Sequence, residues 1–344
     1  MAVALLAQPL CSWWETFASD TGLLLYALDI AAHASAACWL ILRRDTLTRL
    51  ESRLSGFRYL PRELAGVRKL VACQAALVLA FVAVDARFFL FRTPSSPGSA
   101  TSDLLYLWMV SSTYAVILNF NALVLLVRTQ IGAANGELHR LGRGDPCGPV
   151  LPRRMDPAME TAVAQVAVAR GALHEVVADL NSAFSIPLLT QVTRLFVQAV
   201  FCLYKILLSA LGRKDEFSDT DGQASFNSVA HSCVFGVFIV YFLWQIVFIC
   251  EQAVQEHDRT PALVHRIINK TYRKEAKQKL EEFSLQLLHS KIKFSACGFF
   301  PLDYSVIGSM VGAITTYLVV LVQFQLSSSE HVPANITNIT NITK

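Results

Sequence analysis

The chain has 344 residues, of which 53% are hydrophobic and only 16% are charged, and its mean hydropathy is +0.43. This composition is more apolar than that of a soluble globular protein and predicts an integral membrane protein. The small net charge of +4 gives no support to a nucleic-acid-binding role. The eight cysteines are scattered singly, without metal-ligand spacing, and are interpreted as small apolar packing residues.

Six apolar runs are long enough to cross a bilayer, whose hydrocarbon core of about 30 Å requires roughly 20 residues of helix. In chain order these predicted spans are residues 22–42, 67–91, 104–127, 183–211, 228–250 and 304–326. They predict an all-α, polytopic membrane bundle. Residues 1–21 precede the first span, and residues 327–344 form a tail after the last.

Positive charge is concentrated between alternate spans. The segments 43–69, 128–182 and 251–303 hold 23 of the 30 lysines and arginines. Cationic segments next to membrane helices stay in the cytoplasm, so we expect the loops 43–66, 128–182 and 251–303 to be cytoplasmic. Both termini are then extracellular. The basic first loop would contact anionic lipid headgroups, although a merely solvated charged face explains it nearly as well.

The tail supports the same orientation because it carries three consecutive N-glycosylation sequons, which have meaning only outside the cytoplasm. Their acceptors are Asn335, Asn338 and Asn341. A low-complexity polar tail without glycans is the alternative interpretation.

The larger inner segments are predicted to contain amphipathic helices. From Met159 to Leu180, apolar residues recur at three- and four-residue steps, and this helix should run directly into the span at Ala183. The segment His265 to Leu288 shows a similar pattern, with an apolar face formed by Leu280, Phe283, Leu287 and Leu288. An inner helical layer beneath the membrane is therefore expected.

Enzyme motifs are missing from the sequence. His174-Glu175 resembles the start of a zinc-binding HExxH motif, but Ala178 stands where the second histidine would be. Phosphate-binding and serine-nucleophile motifs are also absent. We expect no catalytic residues, no metal and no cofactor.

Two stretches of the chain carry a recognisable pattern. The first is FSLQLLHSKIKFSACGFFPLDYSVIGSMVGAITTYLVVLVQF, from Phe283 to Phe324, which ends in Thr-Tyr, several apolar residues and Gln-Phe. The second is LHEVVADLNSAFSIPLLTQVTRLFVQAVFCLY, from Leu173 to Tyr204, which includes Asn181. The first resembles the signature region of the insect gustatory receptors, a family within the insect chemoreceptor superfamily, and the second resembles that family's fourth-loop-to-fifth-helix region.

The resemblance implies seven membrane helices, an inner N-terminus, an outer C-terminus and four subunits around the last helix, in a ligand-gated cation channel. The six spans here would be the family's second to seventh. We therefore expect the chain to be incomplete at its start, with residues 1–21 an extracellular segment or a remnant of the lost first helix. By this resemblance, residues 22–250 form an outer-pocket bundle, 251–303 an anchor and 304–326 the pore-lining helix.

The last span supplies the expected pore. Thr316, Val320 and Phe324 recur every four residues, and Gln323 lies beside them. By resemblance, Gln323 and Phe324 form the constriction, where a phenylalanine ring gates by dewetting, and Tyr317 belongs to the same motif. A glutamine that caps a neighbour's backbone is the alternative. Gly308 and Gly312 would admit another helix closely or serve ordinary tight packing.

Ionisable residues within spans are costly and count as functional candidates. Polar residues on the fourth span share one face, and others lie at a similar outer depth on the first, second and fifth spans. The expected ligand-pocket residues are Asp29, His33, Asp85, Gln191, Arg194, Gln198, Lys205 and His231. Buried ion pairs that only fix helix packing are an equal alternative for any one of them.

The sequence thus predicts a tastant-gated, non-selective cation channel in the plasma membrane, as a homo-tetramer or a hetero-oligomer with related receptors. Its partners would be small-molecule tastants and membrane lipid, not nucleic acid. A G-protein-coupled receptor is the first alternative, but that class has an outer N-terminus and an inner C-terminus. A transporter is the second, although no two-half symmetry is visible.

Overall fold

The computed structural model describes residues 30–57, 61–90, 99–143, 157–210, 222–271 and 274–330. The described residues are helical apart from short connections and one hairpin of two-residue strands. The helices, in chain order, are α1 (Ile30–Leu42, its described part), α2 (Arg44–Ser55), α3 (Pro61–Leu90), α4 (Ser99–Arg143), α5 (Pro157–Ala210), α6 (Gly222–Ile268), α7 (Lys274–His289) and α8 (Tyr304–Glu330). Strands β1 (Ser295–Ala296) and β2 (Phe300–Pro301) pair antiparallel between α7 and α8.

Five described helices contain stretches long and apolar enough to cross a membrane. These stretches are Leu64–Val84, Tyr114–Gly142, Val163–Ala210, Val229–Ile268 and Tyr304–Gln323. They confirm the predicted all-α polytopic bundle and correspond to the second to sixth predicted spans. The first predicted span, 22–42, lies partly outside the described residues, and its described part is α1.

The helices α4, α5 and α6 are much longer than a bilayer is thick. They contain 45, 54 and 47 residues, which at 1.5 Å per residue is about 67, 81 and 70 Å, against a hydrocarbon core of about 30 Å. The predicted inner loop 128–182 is therefore largely a continuation of α4 and α5, whereas in the predicted loop 251–303 only the first third, up to Ile268, continues α6. The helix predicted from Met159 does run into the span at Ala183, because α5 is continuous.

Two prolines lie within these helices without ending them. Both Pro187 and Pro261 lie inside continuous helices. A proline inside a helix removes one N–H donor and leaves the carbonyl four residues earlier without its helical partner. A helix passes through such a position only where other groups satisfy the freed carbonyl.

The chain divides into two compact units. Unit 1 comprises Met1–Ala31, Thr193–Tyr241 and Ile307–Lys344, and unit 2 comprises Ala32–Val192 and Phe242–Val306. The helices α5, α6 and α8 each contribute residues to both units.

Unit 2 contains an apolar core built from the inner parts of four helices. Its buried members are Leu138 of α4, Val163 and Val166 of α5, Val264, Ile267 and Ile268 of α6, and Leu280, Phe283 and Leu287 of α7. Each such side chain contributes about 1.5–3 kcal/mol when it leaves water. The predicted apolar face of the α5 helix is thus confirmed.

The prediction for residues 265–288 was wrong in two respects. The segment is not one helix, because α6 ends at Ile268 and α7 begins at Lys274. Leu288 is exposed rather than part of the apolar face. Leu280, Phe283 and Leu287 already fill the side of α7 that meets the core, and Leu288 follows Leu287 by about 100° around the helix.

Pro261 explains a buried polar contact between α5 and α6 in unit 2. The missing N–H of Pro261 frees the carbonyl of His257, four residues earlier. The Arg170 guanidinium reaches that carbonyl with Nη2 at 3.4 Å, and its Nη1 lies 2.8 Å from His257 Nδ1. Arginine only donates, so Nδ1 accepts and the imidazole carries its proton on Nε2.

A second contact ties α4 to the same turn of α6. Asn135 Nδ2 donates to the Glu256 carbonyl at 2.8 Å and to Glu256 Oε1 at 2.9 Å, and Thr260 Oγ1 donates to Asn135 Oδ1 at 2.7 Å. The side chains of Asn135 and Thr260 are both buried. Three long helices are therefore joined by hydrogen bonds at one turn of α6.

We expect Arg170→Met to lower the free energy of unfolding by about 1–3 kcal/mol, because it leaves the His257 carbonyl buried without a donor. Pro261→Ala restores an N–H that can donate to this carbonyl, so the double variant should recover part of the loss. Thermal denaturation of detergent-solubilised protein, followed by size-exclusion chromatography, measures both.

Arg140→Met is the matched control, because Arg140 pairs with Glu137 on an exposed helix surface and should cost less than about 0.5 kcal/mol. If Pro261→Ala recovers no stability in the Arg170→Met background, Arg170 does not stabilise the protein by hydrogen-bonding the His257 carbonyl.

Candidate functional site

The helix α8 has two faces within unit 1. Along one face, Ile307, Met310, Ile314, Leu318 and Leu321 are half-buried. Tyr317 lies beside this face, where its ring centroid is 6.2 Å from that of Phe196 on α5. The predicted pore residues Thr316, Val320 and Gln323 are exposed on the other side, which we call the open face of α8.

Tyr317 differs from the other predicted pore residues in its contact with Phe196, although its side chain is itself 56% exposed. At about 100° per residue, Thr316 and Val320 lie roughly 60–100° around the helix from Tyr317, whereas Phe324 lies about 20° from it. Phe324 therefore stands at the edge of the open face by backbone position; its side chain lies outside the described residues. Sequence spacing alone could not show which face the chain itself covers.

Small residues extend the open face toward the start of α8. A Cβ placed on Gly308 or Gly312 would meet no described atom within 4 Å, so neither glycine serves close packing within this chain. The Thr316 hydroxyl donates to the Gly312 carbonyl at 3.0 Å. This bond satisfies the hydroxyl proton within an apolar helix and leaves the oxygen able to accept another hydrogen bond.

A short connection, which we call the strap (residues 290–303), leads from α7 into α8 and is bound firmly to unit 2. Asn181 of α5 donates from Nδ2 to the Lys293 carbonyl at 2.6 Å and accepts from the Ser295 N–H at 3.4 Å. Phe294 is buried against Phe120, with ring centroids 6.4 Å apart. Asn181, noted in the sequence resemblance, thus holds the segment that precedes the last helix.

The polar stripe predicted on α5 is buried. Gln191, Arg194 and Gln198 are 0%, 2% and 6% exposed. Lys205, predicted as the outer end of the stripe, is exposed instead. A fully buried arginine in a membrane helix is costly and must interact with polar groups, which both a ligand pocket and a packing contact between helices can provide.

The remaining predicted pocket residues are only partly described. His33 is half-buried on α1, and His231 is half-buried on α6 with its ring stacked on Phe235 at 5.9 Å. Asp29 and the side chain of Asp85 lie outside the described residues, as do the glycosylation candidates Asn335, Asn338 and Asn341.

Unit 2 contains an aromatic cluster that the sequence analysis missed. Tyr114 of α4 stacks on Phe242 of α6 at 4.3 Å and meets Phe81 of α3 edge-on at 5.3 Å. All three rings are buried. Only ionisable and amide residues stand out from the apolar spans in the sequence, because aromatic residues in such spans give no distinct pattern.

Buried amides lie on the same three helices. Gln74 of α3, Asn121 of α4 and Gln245 of α6 are at most 4% exposed. Among the described residues, no hydrogen-bond partner is found for either amide atom of Asn121, for Gln74 Oε1 or for Gln245 Oε1. Aromatic walls with a few unsatisfied polar groups are typical of small-molecule sites.

The antiparallel register of α3 and α4 brings two of the amides to one depth. Gln74 precedes Phe81 by seven residues, and Asn121 follows Tyr114 by seven. Seven residues are almost two full turns, so each amide shares a face with its aromatic residue about 10 Å further along. We call Gln74, Asn121 and Gln245 the amide cluster.

Comparisons with known proteins agree with the helical fold and with the C-terminal pattern. A family model described as 7tm Chemosensory receptor matches residues 15–328. From Drosophila melanogaster, putative gustatory receptor 28b is 34% identical over 157 residues, 45% of this chain and 32% of the relative. Putative gustatory receptor 28a is 30% identical over 196 residues, 55% of this chain and 40% of the relative. The chain therefore matches about a third to two fifths of the length of these relatives.

A solved structure shows the same fold. The insect olfactory receptor OR5 from Machilis hrabei superposes with a TM-score of 0.67, at 12% identity, over 91% of this chain and 83% of that one. The same receptor in complex with eugenol gives a TM-score of 0.63 over 87% of this chain and 81% of that one.

These matches confirm the resemblance inferred from the sequence, and the relatives are chemosensory receptors rather than enzymes. With a family model that covers almost its whole length, the chain belongs to the 7tm chemosensory receptor family.

Proposed function

We propose that this protein is a gustatory receptor subunit that forms a tastant-gated, non-selective cation channel in the plasma membrane. The observation that carries the proposal is the exposure of one face of α8. This is an apolar helix whose open face, with Val319 and Val320 exposed, is not covered by the rest of the described chain. In a family of chemosensory receptors, such a face is suited to meet other subunits around a pore.

Assembly follows from this exposure. Four copies, or this chain with related receptors, would bring the open faces of α8 around a common axis. Gly308 and Gly312 permit close approach of helices at one end. Thr316, Val320 and Gln323 would line the other, and Phe324 with Gln323 would form the gate, by dewetting of an apolar constriction.

The open face can be tested by the reaction of introduced cysteines with a water-soluble thiol reagent during current recording. We expect Val320→Cys to be blocked at least about tenfold faster than Leu318→Cys, since Leu318 is half-buried on the covered face. Phe324→Ala should add a constitutive leak. Equal modification rates at the two positions, with no leak in Phe324→Ala, would remove the pore assignment.

The proposed orientation places the segments 43–66, 128–182 and 251–303 in the cytoplasm and the C-terminal tail outside. Its support is the bias of positive charge toward those segments and the sequons in the tail. A G-protein-coupled receptor would place the C-terminus inside.

An epitope added after Lys344 should be stained by antibody in intact cells. Glycosidase treatment should change the gel mobility of the protein unless Asn335, Asn338 and Asn341 are replaced by glutamine. Staining only after permeabilisation would contradict this orientation and favour the G-protein-coupled alternative.

Two groups of residues are proposed to contact the ligand, each within its own compact unit. In unit 1 they are the predicted Arg194, Gln198, Lys205 and His231. In unit 2 they are the predicted His33, Asp85 and Gln191, joined by the amide cluster and the aromatic rings of Phe81, Tyr114 and Phe242. Burying the amide cluster costs free energy unless its members are hydrogen-bonded, and a polar ligand would supply the partners that Asn121, Gln74 Oε1 and Gln245 Oε1 lack among the described residues.

Asn121→Leu tests the unit 2 group. Because neither amide atom of Asn121 has a described partner, an apolar replacement of similar size should leave thermal stability unchanged or raise it. It should also raise the tastant concentration that gives a half-maximal response by about tenfold or more, because losing one hydrogen bond to the ligand weakens binding by about that factor. Concentration–response curves with a broad tastant panel give the second quantity.

Asn119→Leu is the matched control, because Asn119 is exposed and bonds the Ala115 carbonyl of its own helix. An Asn121→Leu variant that is markedly less stable, with unchanged responses, would identify Asn121 as a structural residue.

A further inference from the structure

The strap contains an exposed hairpin tip directly before the membrane-spanning helix α8. Residues Cys297 and Gly298 have φ values of 53° and 74°, and the Phe299 N–H donates to the Ala296 carbonyl at 3.0 Å. The two consecutive positive φ angles make the turn tight, and residues 297–299 connect the paired Ala296 and Phe300. We call Cys297, Gly298 and Phe299 the hairpin tip.

The hairpin tip exposes a large aromatic side chain. Phe299 is 76% exposed, although the residues behind it, Phe294, Ala296 and Leu302, are all buried. Exposing a phenylalanine to water costs about 2 kcal/mol relative to burying it. Neither turn formation nor the packing of the strap requires an aromatic residue at this position.

Exposed charge beside the hairpin tip is positive. Along the strap, burial alternates, with Ile292 and Phe294 turned inward and Lys291 and Lys293 exposed. The one acidic residue of the strap, Asp303, accepts a hydrogen bond from the Ser305 N–H at 2.9 Å. Its carboxylate thus caps the N-terminus of α8, where the helix dipole favours it.

Chain connectivity keeps the hairpin tip close to the bilayer. The stretch of α8 able to span a membrane begins at Tyr304, five residues after Phe299, and five extended residues reach at most about 17 Å. The hairpin is closed at its base by the Leu302 N–H, which donates to the Phe294 carbonyl at 2.9 Å. This pairing keeps the connecting residues from being fully extended, so the hairpin tip lies within about 17 Å of the start of the span, close enough to reach the lipid headgroup layer, which is about 5–7 Å thick on each side.

We propose that the hairpin tip inserts Phe299 into the headgroup layer of the membrane, with Lys291 and Lys293 bound to anionic phospholipid. Aromatic side chains are favoured at that depth, and each lysine near an anionic surface contributes about 1 kcal/mol. A second copy of this chain is a poorer partner, because two such strap surfaces carry the same positive charge. The proposal rests on α8 crossing the membrane from Tyr304, as in the proposed function.

The consequence is a lipid contact at the entrance of the proposed gating helix. The strap is bound to α5 through Asn181 and continues into α8 through the Asp303 cap. Anionic lipid at the hairpin tip would therefore stabilise one position of the inner end of α8. Channel activity should depend on the anionic lipid content of the membrane.

Photocrosslinking tests the contact directly. Full-length protein with p-benzoylphenylalanine in place of Phe299 is reconstituted into nanodiscs that contain phosphatidylserine and an alkyne-tagged phospholipid, then irradiated. We expect a tagged lipid adduct on the chain. The same replacement at Phe283, which is buried in the inner core, is the matched control and should give none.

Charge reversal provides the second arm. Lys291→Glu combined with Lys293→Glu should lower the adduct yield at position 299 about threefold or more in phosphatidylserine nanodiscs, with little change in purely zwitterionic ones, because only the former attract lysine. If the benzoylphenylalanine variant is not monodisperse, a benzophenone maleimide on the exposed Cys297 replaces it, with Cys297→Ser as the blank.

The outcomes separate the proposals. An adduct to a second copy of the chain, or no lipid adduct, overturns the lipid contact without touching the channel proposal. Nanodiscs expose both leaflets alike, so the result does not depend on which side of the cell membrane the strap faces. A lipid adduct at 299 and none at 283 supports the contact, even if no tastant current is found.

Discussion

The whole structure depends on helices that continue as single elements far beyond the thickness of a bilayer. The 54 residues of α5 and the 47 of α6 require an unbroken ladder of backbone hydrogen bonds, since an unsatisfied backbone group in lipid costs several kcal/mol. Both helices nevertheless contain a proline. The carbonyl freed by Pro261 is reached by the buried Arg170, and this contact ties α5 to α6 where α4 also joins through Asn135.

Three helices, α5, α6 and α8, contribute residues to both compact units. The strap is attached to α5 just before the last helix begins, because Asn181 holds it by two hydrogen bonds. In the proposed channel, the strap would therefore position the start of the gating helix.

The proposed ligand contacts share a physical property, namely polar groups placed where water is excluded. Arg194 is 2% exposed, and the amide cluster lies on three helices beside the aromatic cluster. Such groups weaken the folded state unless hydrogen bonds compensate them. For the amide cluster, several of whose atoms have no partner among the described residues, the Asn121→Leu variant separates a ligand contact from a purely structural role.

Much of the fold and part of the site were determined by the sequence itself. Hydrophobic runs of membrane length, their charged flanks and the Thr-Tyr to Gln-Phe pattern identified the helical bundle, its last helix and its family, because bilayer thickness imposes a length that can be read locally. The apolar face of α5 from Val163 to Leu180 could also be predicted locally, because it follows from the helical repeat of about 3.6 residues. Only the tertiary structure decided the features that depend on contacts between distant residues. It shows that α6 continues through Pro261 and that Leu288 is exposed. It also shows that Tyr317 contacts Phe196 whereas Thr316 is exposed, and that the three residues of the amide cluster are buried. Burial and hydrogen bonding depend on which helices pack against each other, and local sequence patterns do not specify this packing.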